Sequence, residues 1–236
     1  MNRVLILQFM HKDGPAYLGT WLARHGVASE VRLAGAFPDR LDGYAALAVL
    51  GGAMSANDDL AYLRNAESLI RQAVQRDAPV LGHCLGGQLM ARTLGARVVA
   101  SPEPEVGWHS MRCDASAAAH DWFGPAAEHT VFHWHYEAFD LPPGSRRLAG
   151  SEACPNQAFA IGPHLAMQFH VEVDAAKIES WLTHRDDLYD ETQPTYGTVH
   201  HRERIRHDTK RCLAIQMQLA DRIYARWTRD AGLISL

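Results

Sequence analysis

The chain has 236 residues, of which 47% are hydrophobic and 21% charged, and its formal net charge is −4. This composition excludes a disordered chain and supplies enough apolar material for a buried core. The small negative charge, with no dense basic block, excludes nucleic acid as the main partner. No apolar run approaches the roughly 18 residues needed to span a bilayer, so no membrane partner is expected.

The first residues and the cysteines bear on the cellular compartment. Residues 1–10, MNRVLILQFM, hold only a short apolar stretch with no small-residue cleavage site after it, which predicts a first strand and not a signal peptide. The four cysteines are dispersed without a CxxC pair, which favours reduced thiols over a disulfide framework. A cytoplasmic location is therefore expected.

The first half of the chain alternates short strands with helices. The pattern predicts strands at 4–7, 30–33, 45–50 and 79–82, and helices at 16–25, 60–76 and 86–94. Short continuous apolar runs are typical of strands buried on both faces, and their alternation with helices favours βα units and a parallel sheet.

The second half is less regular. Strand-like alternation at 96–100, 106–112, 130–134 and 157–171 is broken by prolines, which predicts shorter, partly antiparallel strands. An amphipathic helix is expected from about Lys210 to Arg229. Without repeats or low-complexity linkers, the economical division is one domain over residues 1–183 and a helical extension over 184–236.

Residues 82–88, GHCLGGQ, place Cys84 between a predicted strand and a predicted helix. A glycine two residues before and another two residues after a nucleophile is typical of a nucleophile elbow, because the tight turn leaves no room for side chains. Backbone N–H groups after the cysteine are then free to stabilise an oxyanion. The alternative is a buried cysteine beside an ordinary glycine-rich turn, and it would be preferred if the cysteine stood alone.

Two further segments fit the same chemistry. In residues 167–172, MQFHVE, strand alternation would put His170 and Glu172 on one face, as a base and the carboxylate that fixes its tautomer. In residues 49–55, VLGGAMS, the N–H of Gly52 is predicted to join that of Leu85 in an oxyanion hole. An incidental His/Glu pair and a plain turn are the respective alternatives.

Together these three motifs resemble the class I glutamine amidotransferases, and the segment FHWH at 132–135 resembles their GMP-synthase-like branch. The resemblance covers about residues 1–183. It implies a flavodoxin-like, three-layer α/β fold with a mostly parallel central sheet. It also implies hydrolysis of the glutamine amide through a thioester, with ammonia released, and a separate synthase or acceptor subunit.

Residue roles follow from the same resemblance. Cys84 would be the nucleophile, His170 the general base and acid, and Glu172 the group that orients His170. Gly52 and Leu85 would form the oxyanion hole. Gln88 would hold the substrate.

Histidines are numerous, at 14, which raises the alternative of a metal site. His133 and His135 have the spacing of ligands on one strand, but no third ligand stands at a recognisable spacing, and CxxC and HExxH patterns are absent from the sequence. No metal and no cofactor are expected. Trp134 and His135 are predicted to wall the substrate pocket, with core packing an equal alternative for Trp134.

Three alternatives remain open at this level. The same Cys-His-Glu machinery would serve a γ-glutamyl peptidase, and an amidotransferase-like fold can act as a non-catalytic binding module. The C-terminal helix can pack on its own domain or dock a partner, including a second copy of the chain.

Overall fold

The structure, a computed structural model, describes residues 3–235. Within that range nine strands form one sheet: β1 (Arg3–Gln8), β2 (Ala28–Leu33), β3 (Tyr44–Val49), β4 (Val80–His83), β5 (Val98–Cys113), β6 (Glu128–Phe139), β7 (Arg146–Gly150), β8 (Ala158–Ile161) and β9 (His164–Met167). The helices of the same range are α1 (Ala16–Arg24), α2 (Ala61–Gln75), α3 (Leu85–Thr93), α4 (Ala117–Phe123), α5 (Ala175–Thr183), α6 (Asp187–Thr192) and α7 (Arg202–Asp230). The protein is an α/β protein with a large sheet and several helices.

The sheet is mixed, so the expectation of a mostly parallel sheet is wrong. Its strand order is β2-β1-β3-β4-β9-β8-β7-β5-β6. The pairs from β2 to β9 are parallel, and those from β9 to β6 are antiparallel. A two-residue turn such as that between β8 and β9 can only join antiparallel neighbours, whereas a parallel pair requires a long crossover. The flavodoxin-like, three-layer arrangement stays a prediction.

The strands predicted in the second half differ most from those observed. The segment 106–112 and residues 98–100 of the segment 96–100 belong to one long strand, β5, and β7 was not predicted. Pro102 and Pro104 are tolerated inside β5 because the pairing with β6 is irregular between Ala100 and Glu105. The segment 157–171 divides into β8 and β9, and β9 ends at Met167.

Both faces of β1, β3 and β4 are buried, as their continuous apolar runs predicted, whereas β2 at the edge of the sheet is largely exposed. On β1, Val4 and Ile6 pack into the cluster that contains α1 and α7. Leu5 and Leu7 point to the other face, into the cluster that contains α2 and α3. β1 is therefore packed against helices on both of its faces.

The C-terminal helix α7 begins at Arg202, eight residues before the predicted start. The first turns of α7 consist mostly of polar residues, so the sequence shows no amphipathic pattern there. Further along, Leu219, Ile223 and Trp227 are fully or almost fully buried in the same core as β1 and β4, and Trp227 Nε1 donates to the carbonyl of Pro79 at 3.1 Å. The helix thus packs on its own domain, while the boundary placed between residues 183 and 184 stays a prediction. Within residues 3–235, no helix has both the length and the apolar character needed to cross a membrane.

Candidate active site

Cys84 lies in the turn between β4 and α3, at the carboxyl end of the parallel strands. Its φ of +47° and ψ of −107° place a non-glycine residue in a disfavoured backbone conformation, as a sharp strand-to-helix turn requires. A Cβ at Gly86 would come within 2.1 Å of the carbonyl oxygen of Val49, and one at Gly82 within 2.7 Å of the nitrogen of Gly87. The glycines on both sides of Cys84 are therefore sterically required, as the sequence predicted.

His170 and Glu172 lie close together, but they do not lie on a strand. β9 ends at Met167, and the following backbone leaves the sheet, with the His170 N–H donating to the carbonyl of Phe132 at 2.8 Å. The prediction that strand alternation places these two side chains on one face is therefore wrong, although the two side chains do lie close together. His170 Nδ1 and Glu172 Oε1 are 2.7 Å apart, and both side chains are buried.

The thiol of Cys84 is surrounded by three groups. It lies beside the ring of His170, accepts from Gln168 Nε2 at 3.5 Å and faces the carbonyl of Trp134 at 3.7 Å. Cys84 is only 6% exposed, so the residue is largely shielded from solvent. Cys84, His170 and Glu172 thus form one series, in which His170 lies beside the thiol and is hydrogen-bonded to Glu172.

The ionisation states of Glu172 and His170 depend on each other. Burial by itself raises the pKa of Glu172, but the neighbouring cationic groups His170 and Lys177 outweigh it and hold this pKa well below its usual range. Lys177 Nζ lies 3.7 Å from Glu172 Oε1 and 2.9 Å from Asp13 Oδ1. For His170, burial lowers the pKa, but Glu172 and the neighbouring Cys84 raise it above the usual value. The carboxylate therefore stays ionised and favours an imidazolium beside it.

Gly52 and Leu85 are brought together next to the thiol. Leu85 opens α3, so its N–H is among the first four of the helix, which have no acceptor within it. A Cβ at Gly52 would lie 2.9 Å from Leu85 Cδ2, which shows how closely the loop after β3 approaches the start of α3. Their role as an oxyanion hole stays a prediction.

Gln88 and Trp134 also lie near Cys84. Gln88 Nε2 donates to the carbonyl of Glu137 at 3.1 Å and to Gln168 Oε1 at 3.4 Å, so it supports the amide that contacts the thiol. The carbonyl of Trp134, not its ring, faces Cys84, while the ring packs against Trp181 with centroids 5.8 Å apart.

His135 has different surroundings. Adjacent residues of a strand point to opposite faces, so its ring lies on the other side of β6 from that of Trp134. It is buried and its Nε2 lies 3.1 Å from Glu105 Oε2. Its contact with substrate stays a prediction.

Several residues of the site were missed by sequence reasoning. Gln168 and Gly51 stand inside the quoted motifs but match no catalytic pattern of their own. Lys177 and Gln216 carry no local signal. Gln216 of α7 accepts from the Phe132 N–H at 2.6 Å and donates to the His170 carbonyl at 3.1 Å, so the C-terminal helix braces the backbone of His170.

Comparison with known proteins agrees with this geometry. The family model described as glutamine amidotransferase class-I matches residues 25–184, and the chain belongs to this family, as its motifs predicted. The chain is 33% identical over 167 residues to the glutamine amidotransferase-like protein YfeJ of Salmonella typhimurium, covering 66% of this chain and 68% of that protein.

Two further relatives extend the comparison. One subunit of the glutamine-hydrolysing GMP synthase of Thermoplasma acidophilum is 32% identical over 137 residues, which is 57% of this chain and 66% of that relative. The crystal structure of a glutamine amidotransferase from Methylobacillus flagellatus superimposes with a TM-score of 0.91 at 33% identity, covering 99% of this chain and 97% of that one.

Proposed function

We propose that this protein hydrolyses the γ-amide of glutamine through a thioester on Cys84 and releases ammonia. The observation that carries the proposal is the buried series in which His170 lies between the Cys84 thiol and the Glu172 carboxylate. A nucleophile hydrogen-bonded to a base, with the base oriented by a third group, is the arrangement that activates weak nucleophiles. Membership of the class I family supports amide hydrolysis as the reaction.

In the first half-reaction the thiol of Cys84 passes its proton to His170, and the sulfur attacks the amide carbonyl of the substrate. The N–H groups of Gly52 and Leu85 would donate to the oxygen that becomes negative in the tetrahedral intermediate. His170 then gives its proton to the leaving nitrogen, the C–N bond breaks and ammonia departs. A glutamyl thioester remains on Cys84.

In the second half-reaction water attacks the thioester. His170 accepts a proton from the water and returns it to the sulfur as the C–S bond breaks, and glutamate leaves. Glu172 accepts from His170 Nδ1 throughout, which keeps Nε2 directed at the reacting atoms.

The substrate and the acceptor complete the proposal. Gln88 and Trp134 would bound the glutamine pocket through the groups that they place around Cys84. One relative is named as part of a multi-subunit synthase, which supports ammonia transfer to a separate acceptor protein. The cytoplasmic location and self-association stay predictions.

The proposal is tested by substrate choice. Purified protein is expected to release ammonia from glutamine faster than it releases Cys-Gly from glutathione, and a glutamine-analogue electrophile is expected to modify Cys84 alone, as peptide mass spectrometry would show. Faster release of Cys-Gly would identify a γ-glutamyl peptidase. Absence of both labelling and turnover, with or without a candidate acceptor protein, would identify a non-catalytic module.

Substitution of Gly51 by alanine tests the tightness of the pocket. The new Cβ would lie 2.9 Å from His170 Cε1 and 3.7 Å from Cys84 Cβ, so the imidazole must shift. Displacement of a catalytic group by about 1 Å costs on the order of 100-fold in rate, and we expect kcat/KM for glutamine to fall by about that factor. Gly197→Ala is the control, because a Cβ there meets nothing within 4 Å. Unchanged kinetics in Gly51→Ala would contradict the assigned position of His170.

A further inference from the structure

A second polar cluster is buried behind the candidate active site, on the other face of β6. Glu105 of β5 and His133 and His135 of β6 each offer one ligand atom, and these atoms all lie within 4.8 Å of one another. The sequence showed only the two histidines. The pairing of β5 with β6 sets Glu105 opposite His135 and supplies the third group.

The hydrogen bonds of this cluster are incomplete among the described residues. His133 is 0% exposed, and neither of its ring nitrogens has a hydrogen-bond partner. His135 Nδ1 also lacks a partner. A buried polar atom left without a partner is costly, because water no longer solvates it. A single group placed between the rings and the carboxylate would give at least one of these nitrogens a partner.

We propose that Glu105, His133 and His135 bind a divalent transition-metal ion, with zinc as the ion the donor set suits best. Two imidazole nitrogens and one carboxylate oxygen form a donor set that proteins use for zinc. Ligands about 2.0–2.2 Å from an ion lie roughly 3–4 Å apart, which is compatible with the observed separations. His135 Nε2 is 3.1 Å and His133 Nδ1 is 4.0 Å from Glu105 Oε2.

A contact outside the cluster fits the same ion. Gln157 Nε2 donates to Glu105 Oε2, the kind of outer hydrogen bond that orients a carboxylate ligand.

The position in the fold indicates what the ion would do. The pairing of β5 with β6 is irregular between Ala100 and Glu105, directly beside the cluster. An ion held by both strands would fix their register at this point. The carbonyl of Trp134, between the two histidines in sequence, faces Cys84 at 3.7 Å. The ion would therefore fix the position of the Trp134 carbonyl beside Cys84, without touching substrate.

The test measures metal content and metal-dependent stability and does not depend on turnover. Protein unfolded with a chelator is refolded with and without Zn²⁺, and bound metal is counted by mass spectrometry. The intact chain is expected to bind about one Zn²⁺. We expect Tm to rise by roughly 5–10 °C once free Zn²⁺ exceeds the dissociation constant a hundredfold.

Matched variants assign the ligands. Glu105→Gln and His133→Leu should each lower the zinc affinity more than 100-fold and abolish the rise in Tm. His129→Leu should bind zinc as the parent does, because residue 129 lies on the same strand, about 13 Å along it from His133. Zinc retained undiminished in both ligand variants would overturn the site, and so would a parent chain that takes up none. If neither ligand variant folds, the visible spectrum of the parent protein with Co²⁺ tests the proposed site. A spectrum identical to that of free Co²⁺ would also overturn the site.

Discussion

Replacing Cys84 by alanine is expected to lower kcat for glutamine hydrolysis by at least about 10⁴-fold, the usual consequence of removing a catalytic nucleophile. No other described group can take over the attack, since the sulfur is the atom that His170, Gln168 and the carbonyl of Trp134 surround. Ammonia release from glutamine measures the loss. Hydrolysis above about one hundredth of the parental rate would remove Cys84 from the mechanism.

Stability separates this loss from unfolding. Cys84 is held at a φ of +47°, where any side chain is strained and glycine is not. We therefore expect Cys84→Gly to be inactive and yet more stable than Cys84→Ala by about 1 kcal/mol in denaturant unfolding. Cys212→Ala, at a half-buried thiol of α7, is the activity control and should keep the parental rate. A Cys84→Gly variant less stable than Cys84→Ala would contradict the strained turn.

Replacing Glu172 by glutamine is expected to lower kcat by about 10²- to 10⁴-fold while leaving the labelling site at Cys84 in place. A glutamine presents an amide to His170 Nδ1 in place of the carboxylate that accepts at 2.7 Å, so the imidazolium loses the charge that stabilises it. The pKa of His170, which Glu172 raises against the effect of burial, should fall, and the ring proton resonances in NMR would show this. An unchanged His170 titration would contradict the proposed coupling.

The same variant changes the pH dependence of stability in a defined window. The lowered pKa of Glu172 stabilises the fold above the unfolded value of 4.5, and that stability is lost as pH falls through the folded value. The raised pKa of His170 stabilises the fold below the unfolded value of 6.5, and that stability is lost as pH rises through the folded value. The parent should therefore exceed Glu172→Gln most between about pH 4.5 and 6.5.

A matched control tests whether this loss is specific. Glu67→Gln removes another largely buried, ion-paired carboxylate, which lies on α2 and binds Arg64 and Arg92. It should lower stability and leave kcat unchanged. A similar loss of kcat in both variants would mean that general destabilisation, not the orientation of His170, explains the effect of Glu172→Gln.

The sequence by itself determined the features that depend on neighbouring residues. The glycines around Cys84 predicted the elbow, and the steric limits at Gly82 and Gly86 show why they did so. The continuous apolar runs predicted the parallel strands and their burial on both faces. These patterns are short-range consequences of chain sterics and of side-chain periodicity.

Only the tertiary structure decided the rest, because it depends on strand pairing between distant segments. The pairing of β5 with β6 brings Glu105 to His133 and His135, and no residue spacing in the sequence predicts this contact. Gln216 reaches the backbone of His170 from a helix whose own pattern gives no sign of the active site. The antiparallel half of the sheet follows from short turns, which fix strand direction only once the partners are known. The sequence therefore predicted the nucleophile and its base, and the fold added the groups that hold them in place.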